Sequence, residues 1–297
     1  MPSRRPALPL AGCFLALAAP LASALRAERR APPPAPERYY YFKGYHKTGT
    51  ALINHLCDHL KKTVTGSEDL CARCSKVINA SAGGRWCERV WSDAYTLVRS
   101  QDFYAAPARF FCATPLDDVQ RIGGDYRAAH ILRDPLTLLA SAYIYDQKGA
   151  DHVGFGGGKE LGALSRREGL RLKAVDMGEI MRQILAGHEL ARKDPHVLEV
   201  RFEDFRADFD GAASKLFSFM NGEGPPGLDR EFVARAQYDD ISRWSEERKR
   251  QPHVSDARLE QQAVDELLAM CAEGDAVIAP FLALRSSLGY GEACRRP

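Results

Sequence analysis

The stretch YYYFKGYHKTGTALINHLCDHLKK, residues 39–62, decides the fold of this chain. It opens with four aromatic residues, a short apolar run that is typical of a buried β-strand. Leu and His residues then recur at helical spacing from about Ala51 to Lys62, which predicts an amphipathic helix. The turn Gly44–Thr50 lies between the two. Backbone N–H groups in a tight turn that opens a helix, together with the helix dipole, form an anion site.

The rest of the chain alternates strand and helix patterns. Strand-like runs occur at Ala108–Ala113, Ala128–Leu132 and His196–Phe202. Helical patterns begin at Pro135 and cover about Ser165–Arg192, Asp210–Met220, Asp256–Cys271 and Asp275–Leu288. Strands separated by helices predict an α/β fold in which a parallel sheet carries helices on both faces.

The composition excludes several classes of protein. The 297 residues include 41 Lys and Arg against 39 Asp and Glu, a formal net charge of +2. No broad basic field exists to hold nucleic acid, so a dedicated duplex binder is excluded. A hydrophobic content of 45% excludes a disordered chain. Only one apolar run approaches the length of a membrane span, which excludes a polytopic membrane protein.

That apolar run, Ala7–Leu25, is a targeting segment. Two arginines precede it, and Ala22–Ala24 has the small-x-small form of a signal-peptidase site. Residues 1–24 are therefore a signal peptide or an uncleaved signal anchor, which would be a single N-terminal membrane anchor. Residues 25–38 form a proline-rich stem, and residues 39–297 form one domain. Either alternative predicts the secretory pathway, with the body secreted or in the Golgi lumen.

The cysteines and a sequon agree with that compartment. Asn79-Ala80-Ser81 is a glycosylation sequon. The pair in Cys71-Ala72-Arg73-Cys74 is interpreted as taking part in disulfides, because no second ligand pair has the spacing of a zinc site. An odd number of cysteines follows the targeting segment: Cys57, Cys71, Cys74, Cys87, Cys112, Cys271 and Cys294. His55 and His59 share a helix face, but no third ligand is evident, so no metal site is predicted.

The turn differs from a nucleotide-binding P-loop at the positions that matter for magnesium. Gly44 and Gly49 have the spacing of the two glycines in G-x-x-x-x-G-K-[ST]. Thr50 and Ala51 stand where that motif needs Lys and Ser or Thr, so the hydroxyl that would hold magnesium is missing. A nucleotide kinase is therefore the less favoured alternative. Lys47 nevertheless supplies a positive charge, and the hydroxyls of Thr48 and Thr50 supply donors to an anion.

A second anion-binding pattern lies in the segment HILRDP, residues 130–135. Arg133 leaves the end of a predicted strand, where a guanidinium can bind a phosphate with two parallel hydrogen bonds. Ser141 follows two helical turns later and can reach the same anion. A turn for a 5′-phosphate and a distant Arg and Ser for a 3′-phosphate describe a pocket for a doubly phosphorylated adenosine.

With these motifs in order, the chain resembles the sulfotransferases that use 3′-phosphoadenosine 5′-phosphosulfate (PAPS). Their P-K-[ST]-G-T loop is similar to residues 46–50, and their R-[DN]-P motif with a later Ser is similar to Arg133–Pro135 and Ser141. Their R-[YF]-E-D-[LF] signature is similar to residues 201–205, with a weaker echo in Leu288–Tyr290. The resemblance implies the P-loop-like sulfotransferase fold. It also implies sulfuryl transfer to a hydroxyl or amine of an acceptor, which would be a glycan or a small molecule, in a reaction that requires no metal. It implies cofactor contacts at Lys47, Thr48, Gly49, Thr50, Ala51, Arg133, Ser141 and Arg248, and a catalytic role for Lys47.

The chain departs from the family at the catalytic base. Many members carry a His just after the strand between the two cofactor motifs, where this chain has Ala113. Asp117 and Asp118 are our leading candidates for the base. The further candidates are His46, His55, Asp146 and His152. The missing His also keeps open a homologue that binds a nucleotide or glycan without catalysis.

Other polar residues have structural interpretations. His130 lies within an apolar strand and is predicted to be a core histidine, while Glu203 and Asp204 are predicted to make structural pairs. Four basic residues are predicted to form a solvated helix face or, alternatively, a patch that steers an anionic glycan: Arg166, Arg167, Arg171 and Lys173. The acceptor and the oligomeric state are not readable from the sequence.

Overall fold

The computed structural model describes most of the chain beyond the proline-rich stem. The described residues are 38–73, 76–80, 84–88, 110–112, 116–122, 124–148, 158–222, 225–250, 254, 256–292 and 294. The targeting segment, residues 25–37 of the stem, the sequon's Ser81 and residues 149–157 lie outside this set. Among the described helices, none combines the length and the apolar character that a membrane span needs.

A parallel sheet forms the centre of the fold. Its strands are Tyr39–Lys43 (β1), Ala72–Arg73 (β2), Phe110–Cys112 (β5), Tyr126–Leu132 (β6) and Val197–Arg201 (β7). They are ordered β2-β5-β1-β6-β7, and each neighbouring pair is parallel. Two further strands, Lys76–Ala80 (β3) and Gly84–Glu88 (β4), form a separate antiparallel pair.

Helices connect and cover the strands. They are Thr50–Thr65 (α1), Leu116–Ile122 (α2), Pro135–Gln147 (α3), Gly158–Ala163 (α4), Arg166–Asp176 (α5), Gly178–Ala191 (α6), Phe202–Ala207 (α7), Phe209–Asn221 (α8), Leu228–Ala236 (α9), Glu246–Lys249 (α10), Ala257–Ala272 (α11) and Ala279–Ser287 (α12). Short 3₁₀ turns at Gln237–Asp239 and Ile241–Arg243 follow α9.

The aromatic strand β1 occupies the middle of the sheet because its side chains can be buried on both faces. Tyr40 stacks on Phe110 with ring centroids 4.6 Å apart, and Tyr41 stacks on Phe111 at 5.2 Å. Tyr40 and its side of the sheet pack against α1, α8 and α9, whereas Tyr41 and the opposite side pack against α2 and α6. The predicted α/β fold, with helices on both faces of a parallel sheet, is confirmed.

The helix that we predicted over Ser165–Arg192 is two helices. The first, α5, ends at Asp176, and the second begins at Gly178. Met177 lies between them and is fully buried. Amphipathic spacing continues across this break, so the sequence pattern did not reveal it; Gly178, a poor helix former, was the local signal.

The basic set on α5 is not a solvated face throughout. Arg167 forms an ion pair with Glu273, and Arg171 forms one with Asp275, so both tie α5 to the end of α11. Lys173 is completely buried and ion-paired with Asp146 of α3. The prediction of a solvated face was wrong for Lys173, because the charge of a second helix offsets the cost of its burial.

Two disulfides join the described residues. Cys57 of α1 bonds Cys71 across 14 residues, and Cys271 of α11 bonds Cys294 across 23 residues. The prediction that Cys71 takes part in a disulfide is confirmed, while Cys74 lies outside the described residues. Closing loops of this size stabilises a fold by roughly 3 kcal/mol each in the chain-entropy model.

The start of α5 gives a stability prediction of modest size. The backbone N–H of Glu168 donates to the hydroxyl of Ser165, and the backbone N–H of Ser165 donates to the carboxylate of Glu168. Ser165→Ala removes this capping box and should lower the free energy of unfolding by about 1 kcal/mol. Urea titration should show a lower midpoint for Ser165→Ala at unchanged slope, while Ser287→Ala at the exposed end of α12 stays near the parent. Equal midpoints for both variants would contradict the assignment.

Candidate functional site

The turn between β1 and α1 is held by hydrogen bonds to Tyr45. The N–H of Tyr45 donates to the hydroxyl of Thr48 across 2.8 Å, and that hydroxyl donates to the carbonyl of Tyr45 across 3.0 Å. The hydroxyl of Thr50 donates to the same carbonyl. In the structure these two hydroxyls shape the turn, and Thr48 is fully buried. Their contacts to a phosphate stay a prediction, as do those of the backbone N–H groups and of Lys47.

Two residues of the turn have left-handed backbone conformations. Gly49 has φ 98°, and a Cβ at that position would lie 2.8 Å from the ring of Phe202, so glycine is required there. Lys47 has φ 62° and is the one non-glycine residue with positive φ in the described part of the chain. Its ammonium group lies 3.4 Å from the ring centroid of Tyr145. Such strain is typical of functional sites.

The N-terminus of α1 completes the predicted 5′-phosphate site. The first helical hydrogen bond runs from the N–H of Ile53 to the carbonyl of Gly49. The N–H groups of the helix's first residues, including Thr50 and Ala51, have no acceptor within the helix and carry its positive dipole end. The first turn of α1 contains no acidic residue that would compete for them.

Arg133 is brought to this turn from the adjacent strand. It follows β6, and its Nη1 donates to the carbonyl of Lys47 across 3.1 Å. Its guanidinium lies 4.9 Å from the ring centroid of Phe202, the same ring that contacts Gly49. The structure thus joins the two predicted phosphate-binding residues, which are far apart in the sequence, at one edge of the sheet.

Arg133 also has a partner that we did not predict. Its Nη2 donates to Glu260 of α11 across 2.6 Å, and its Nε donates to the hydroxyl of Thr137 across 3.3 Å. Arg133 and Glu260 are 6% and 8% exposed, so this is a buried ion pair. The sequence signal for Glu260 was a carboxylate at helical spacing from the buried Ala263 and Leu267. A phosphate that reaches Arg133 must compete with this carboxylate.

The residues after Arg133 serve mainly to build the start of α3. The carboxylate of Asp134 accepts from the N–H of Leu136 across 2.9 Å and from Nε of Arg285 across 2.9 Å. It caps the helix and forms a buried ion pair. Ser141 lies in α3, two turns beyond Arg133, and is 1% exposed. Its phosphate contact stays a prediction.

The signature at residues 201–205 is structural in this chain. Glu203 accepts from the N–H of Asp134 across 3.0 Å and from the hydroxyl of Tyr290 across 3.0 Å. Arg201 donates to the carbonyl of Leu288 across 3.0 Å. Burial raises the pKa of Tyr290, and the nearby charge of Glu203 raises it further. The predicted structural role of Glu203 is confirmed, and its partner is the terminal echo at Leu288–Tyr290.

Asp117, one of our two leading base candidates, follows β5 in the chain. It is exposed in the first turn of α2. Its charge acts on Lys43, the last residue of β1, and on Tyr45 in the turn. Asp117 is therefore close to the anion-binding turn, as a base for the acceptor would need to be. The side chain of Asp118 lies outside the described residues, and its role stays a prediction.

The other base candidates are less well placed. Asp146 is buried and paired with Lys173, and His55 contacts Asp239 with its Nδ1. His46 lies beside Tyr145, with ring centroids 6.2 Å apart, and so remains near Lys47. His152 lies outside the described residues, and its role as a base stays a prediction.

His130 is a core histidine, as predicted. It is completely buried, and its Nδ1 lies 3.1 Å from a carboxylate oxygen of Glu199. The same carboxylate lies 2.8 Å from Nδ1 of His188 on α6. Burial lowers the pKa of His130, although the Glu199 carboxylate opposes that change.

Arg248 lies on a separate aromatic platform. Its guanidinium is 3.8 Å from the ring centroids of both Tyr238 and Trp244. The indole N–H of Trp244 donates to the carbonyl of Tyr238 across 2.8 Å, which holds the Trp244 ring against the backbone of Tyr238. The contacts that the structure gives Arg248 are with this platform and not with Arg133, so its predicted 3′-phosphate contact stays a prediction.

Lys43 gives a pH-dependent prediction. Burial lowers its pKa to about 8, although the charge of Asp117 acts in the opposite direction. In the unfolded chain the pKa is about 10.4, so between these values the unfolded state binds more protons and stability rises with pH. From pH 7.5 to 9.5, the parent should gain about 1–2 kcal/mol of unfolding free energy relative to Lys43→Met. Urea titrations at the two pH values measure this gain in unfolding free energy, and Lys193→Met serves as the exposed-lysine control. If the stabilities of the parent and Lys43→Met change equally with pH, the prediction is wrong.

Comparison with known proteins gives similarity to solved structures. No protein-family model matches the chain, and no curated protein sequence matches it. Among solved structures, the chain is similar to mouse sulfotransferase SULT7A1 complexed with PAP. That match has a TM-score of 0.44 and 14% sequence identity, and it covers 85% of this chain and 90% of the mouse chain. A similarity of this level does not identify a shared function.

Proposed function

We propose that this chain is a sulfotransferase that moves a sulfuryl group from PAPS to a hydroxyl or amine of a carbohydrate or other acceptor. The observation that carries the proposal is the hydrogen bond from Arg133 to the carbonyl of Lys47. It couples the residue predicted to bind the 3′-phosphate to the residue predicted to act on the 5′-phosphosulfate. Both lie at the carboxyl ends of neighbouring parallel strands, where ligands of open α/β sheets bind.

The proposed donor site divides the work among a few groups. The N–H groups that open α1 would hold the 5′-phosphosulfate, as helix N-termini hold phosphates. Lys47 adds a positive charge beside them. Arg133 and Ser141 would hold the 3′-phosphate, with the guanidinium already packed on Phe202.

The proposed reaction is an in-line displacement at sulfur. The acceptor oxygen forms a bond to sulfur while the bond from sulfur to the phosphate oxygen breaks, and adenosine 3′,5′-bisphosphate leaves with the electron pair. Negative charge grows on the bridging oxygen, and Lys47 would neutralise it. Asp117 would accept the proton of the acceptor hydroxyl, a role that typically contributes about 10²–10⁴-fold to the rate.

Glu260 must give way when a 3′-phosphate binds Arg133. The carboxylate and the phosphate are both anions, and Arg133 donates to Glu260 across 2.6 Å. Replacing Glu260 by Gln keeps a hydrogen-bond acceptor and removes the competing negative charge. We therefore expect Glu260→Gln to tighten nucleotide binding.

The same ion pair favours a second candidate function. If the ion pair between Arg133 and Glu260 persists in the presence of the nucleotide, the chain is a homologue that binds another ligand, such as a glycan, without sulfuryl transfer. A nucleotide kinase has no such supporting observation, because Ala51 occupies the position of the magnesium-binding hydroxyl.

We propose the secretory pathway as the compartment, since the disulfides Cys57–Cys71 and Cys271–Cys294 are typical of oxidising surroundings.

The test is calorimetric titration of the full secreted chain with adenosine 3′,5′-bisphosphate, with and without EDTA. The parent, Lys47→Ala and Glu260→Gln are compared with Lys193→Ala, an exposed lysine at the end of α6. The proposal expects EDTA-independent binding that Lys47→Ala weakens at least tenfold, that Glu260→Gln strengthens, and that Lys193→Ala leaves unchanged.

Three outcomes would overturn parts of the proposal. No binding by folded parent and by folded Glu260→Gln would remove the sulfotransferase assignment. Tight binding without transfer of radiolabelled sulfate to a broad acceptor panel would favour the non-catalytic homologue. Magnesium-dependent turnover of ATP would favour the nucleotide-kinase alternative.

A further inference from the structure

Two histidines of α1 and one carboxylate from the 3₁₀ turn after α9 form a cluster. His55 and His59 are one helical turn apart and point toward Asp239, which ends the 3₁₀ turn after α9. Nδ1 of His55 lies 2.8 Å from one carboxylate oxygen of Asp239, and Nε2 of His59 lies 2.8 Å from the other. The proposed transfer reaction uses none of the three.

The cluster is anchored at one side and open at the other. The side chain of Asp239 is 5% exposed and that of His59 is 18% exposed, whereas the His55 ring is 49% exposed. Helix α1 and the helix before Asp239 pack together, since α9 residues belong to the same core cluster as Leu56 and Leu60. The backbone positions of the ligands are thus fixed by core packing, and solvent reaches the cluster through His55.

We propose that His55, His59 and Asp239 form a zinc-binding site. Two imidazoles and a carboxylate are a ligand set that zinc prefers, and two His at i and i+4 on a helix present their rings to one ion. The fourth position of a tetrahedral site would be water, because the cluster is open at His55. This inference does not depend on the proposed sulfotransferase activity.

Binding requires a rotation of the exposed ring. At present the carboxylate spans the two rings, with one oxygen for each. Zinc needs all three ligand atoms at about 2.0–2.2 Å from one point. His55 must therefore turn toward His59, and its exposure leaves room for that rotation.

A cysteine group is the competing candidate for a metal. Cys57, Cys71 and Cys112 are the described residues whose ligand atoms all lie within 4.8 Å of one another. Two of them, Cys57 and Cys71, are joined in a disulfide. A disulfide has no thiolate to offer, so this group does not supply the three ligands that its spacing suggests.

An ion at the histidine cluster would couple two parts of the fold. Helix α1 begins at the anion-binding turn, and Asp239 directly follows Tyr238, whose ring carries Arg248. Zinc would thus link α1, which begins at the proposed 5′-phosphate site, to the aromatic platform.

The test uses the full secreted chain, stripped with a chelator and with accessible thiols alkylated. Zinc alone is titrated in competition with a chromogenic chelator, and cobalt is used as a spectroscopic probe of tetrahedral nitrogen and oxygen ligation. The parent is compared with His55→Ala, His59→Ala and Asp239→Asn. The control is His196→Ala, which removes an exposed histidine that pairs with Asp194 but has no second histidine in that pair.

The expected result is uptake of a single equivalent of zinc by the parent at micromolar or tighter affinity. Each ligand variant should weaken that affinity by about 100-fold or more, and His196→Ala should leave it unchanged. Zinc uptake that is equal in the parent, His55→Ala and His59→Ala would overturn the proposal, as would a folded parent that takes up none. His55→Ala changes an exposed ring, so it keeps the test decisive if Asp239→Asn fails to fold.

Discussion

Replacing Lys47 by Ala is expected to lower kcat for sulfuryl transfer by about 10²–10³-fold. Its ammonium lies beside the turn that opens α1, where it would neutralise charge growing on the leaving oxygen. Electrostatic help of this kind is worth roughly 3–4 kcal/mol in a transition state. Transfer of radiolabelled sulfate to the best acceptor from a panel measures the effect, with Lys193→Ala as the control.

Stability separates a catalytic Lys47 from a structural one. The left-handed backbone of Lys47 costs about 1–2 kcal/mol, which glycine would relieve. Lys47→Gly should therefore be more stable than the parent and as inactive as Lys47→Ala. A kcat near the parental value in either variant would contradict the assigned role, and a loss of stability in Lys47→Gly would indicate that the lysine holds the turn.

Replacing Arg133 by Ala is expected to lower the free energy of unfolding by about 3–5 kcal/mol. The guanidinium donates to Glu260, Thr137 and the carbonyl of Lys47, and its removal leaves the Glu260 carboxylate buried without its cation. Urea titration at pH 7.5 measures the loss. Arg230→Ala, an exposed position on α9, should stay within about 0.5 kcal/mol of the parent.

The double variant identifies the cause of that loss. Arg133→Met combined with Glu260→Met removes both charges and keeps apolar volume, so it should recover most of the stability that Arg133→Ala loses. It should still fail to bind adenosine 3′,5′-bisphosphate. A loss below about 1 kcal/mol in Arg133→Ala would show that the buried pair does not anchor α11 to the site.

The fold was largely predictable because its signals are local. The aromatic run at β1, the helical spacing in α1 and the proline at the start of α3 each lie within a few neighbouring residues. The core position of His130 and the structural role of Glu203 followed from the same kind of pattern. The break at Met177 was missed because amphipathic spacing alone continues across it.

The partners of the site residues were not predictable, because they come from distant parts of the chain. Nothing near Arg133 in the sequence points to Glu260, and the only signal was a carboxylate at a core-facing position of α11. Asp239 is likewise the third member of a cluster for which the sequence showed only His55 and His59. Lys173 was assigned to solvent because its partner Asp146 lies on another helix.

The central position of β1 also determines when the sheet can form. This strand is synthesised before the partners that flank it, since β5 begins at Phe110 and β6 ends at Leu132. A ribosome that adds roughly 5–20 residues per second leaves the aromatic run without a neighbouring strand for seconds. Parallel strands are not joined by a hairpin that could pair them locally, so the parallel topology of the sheet causes this delay. The four aromatic residues that stabilise the finished sheet therefore need protection from aggregation in the nascent chain.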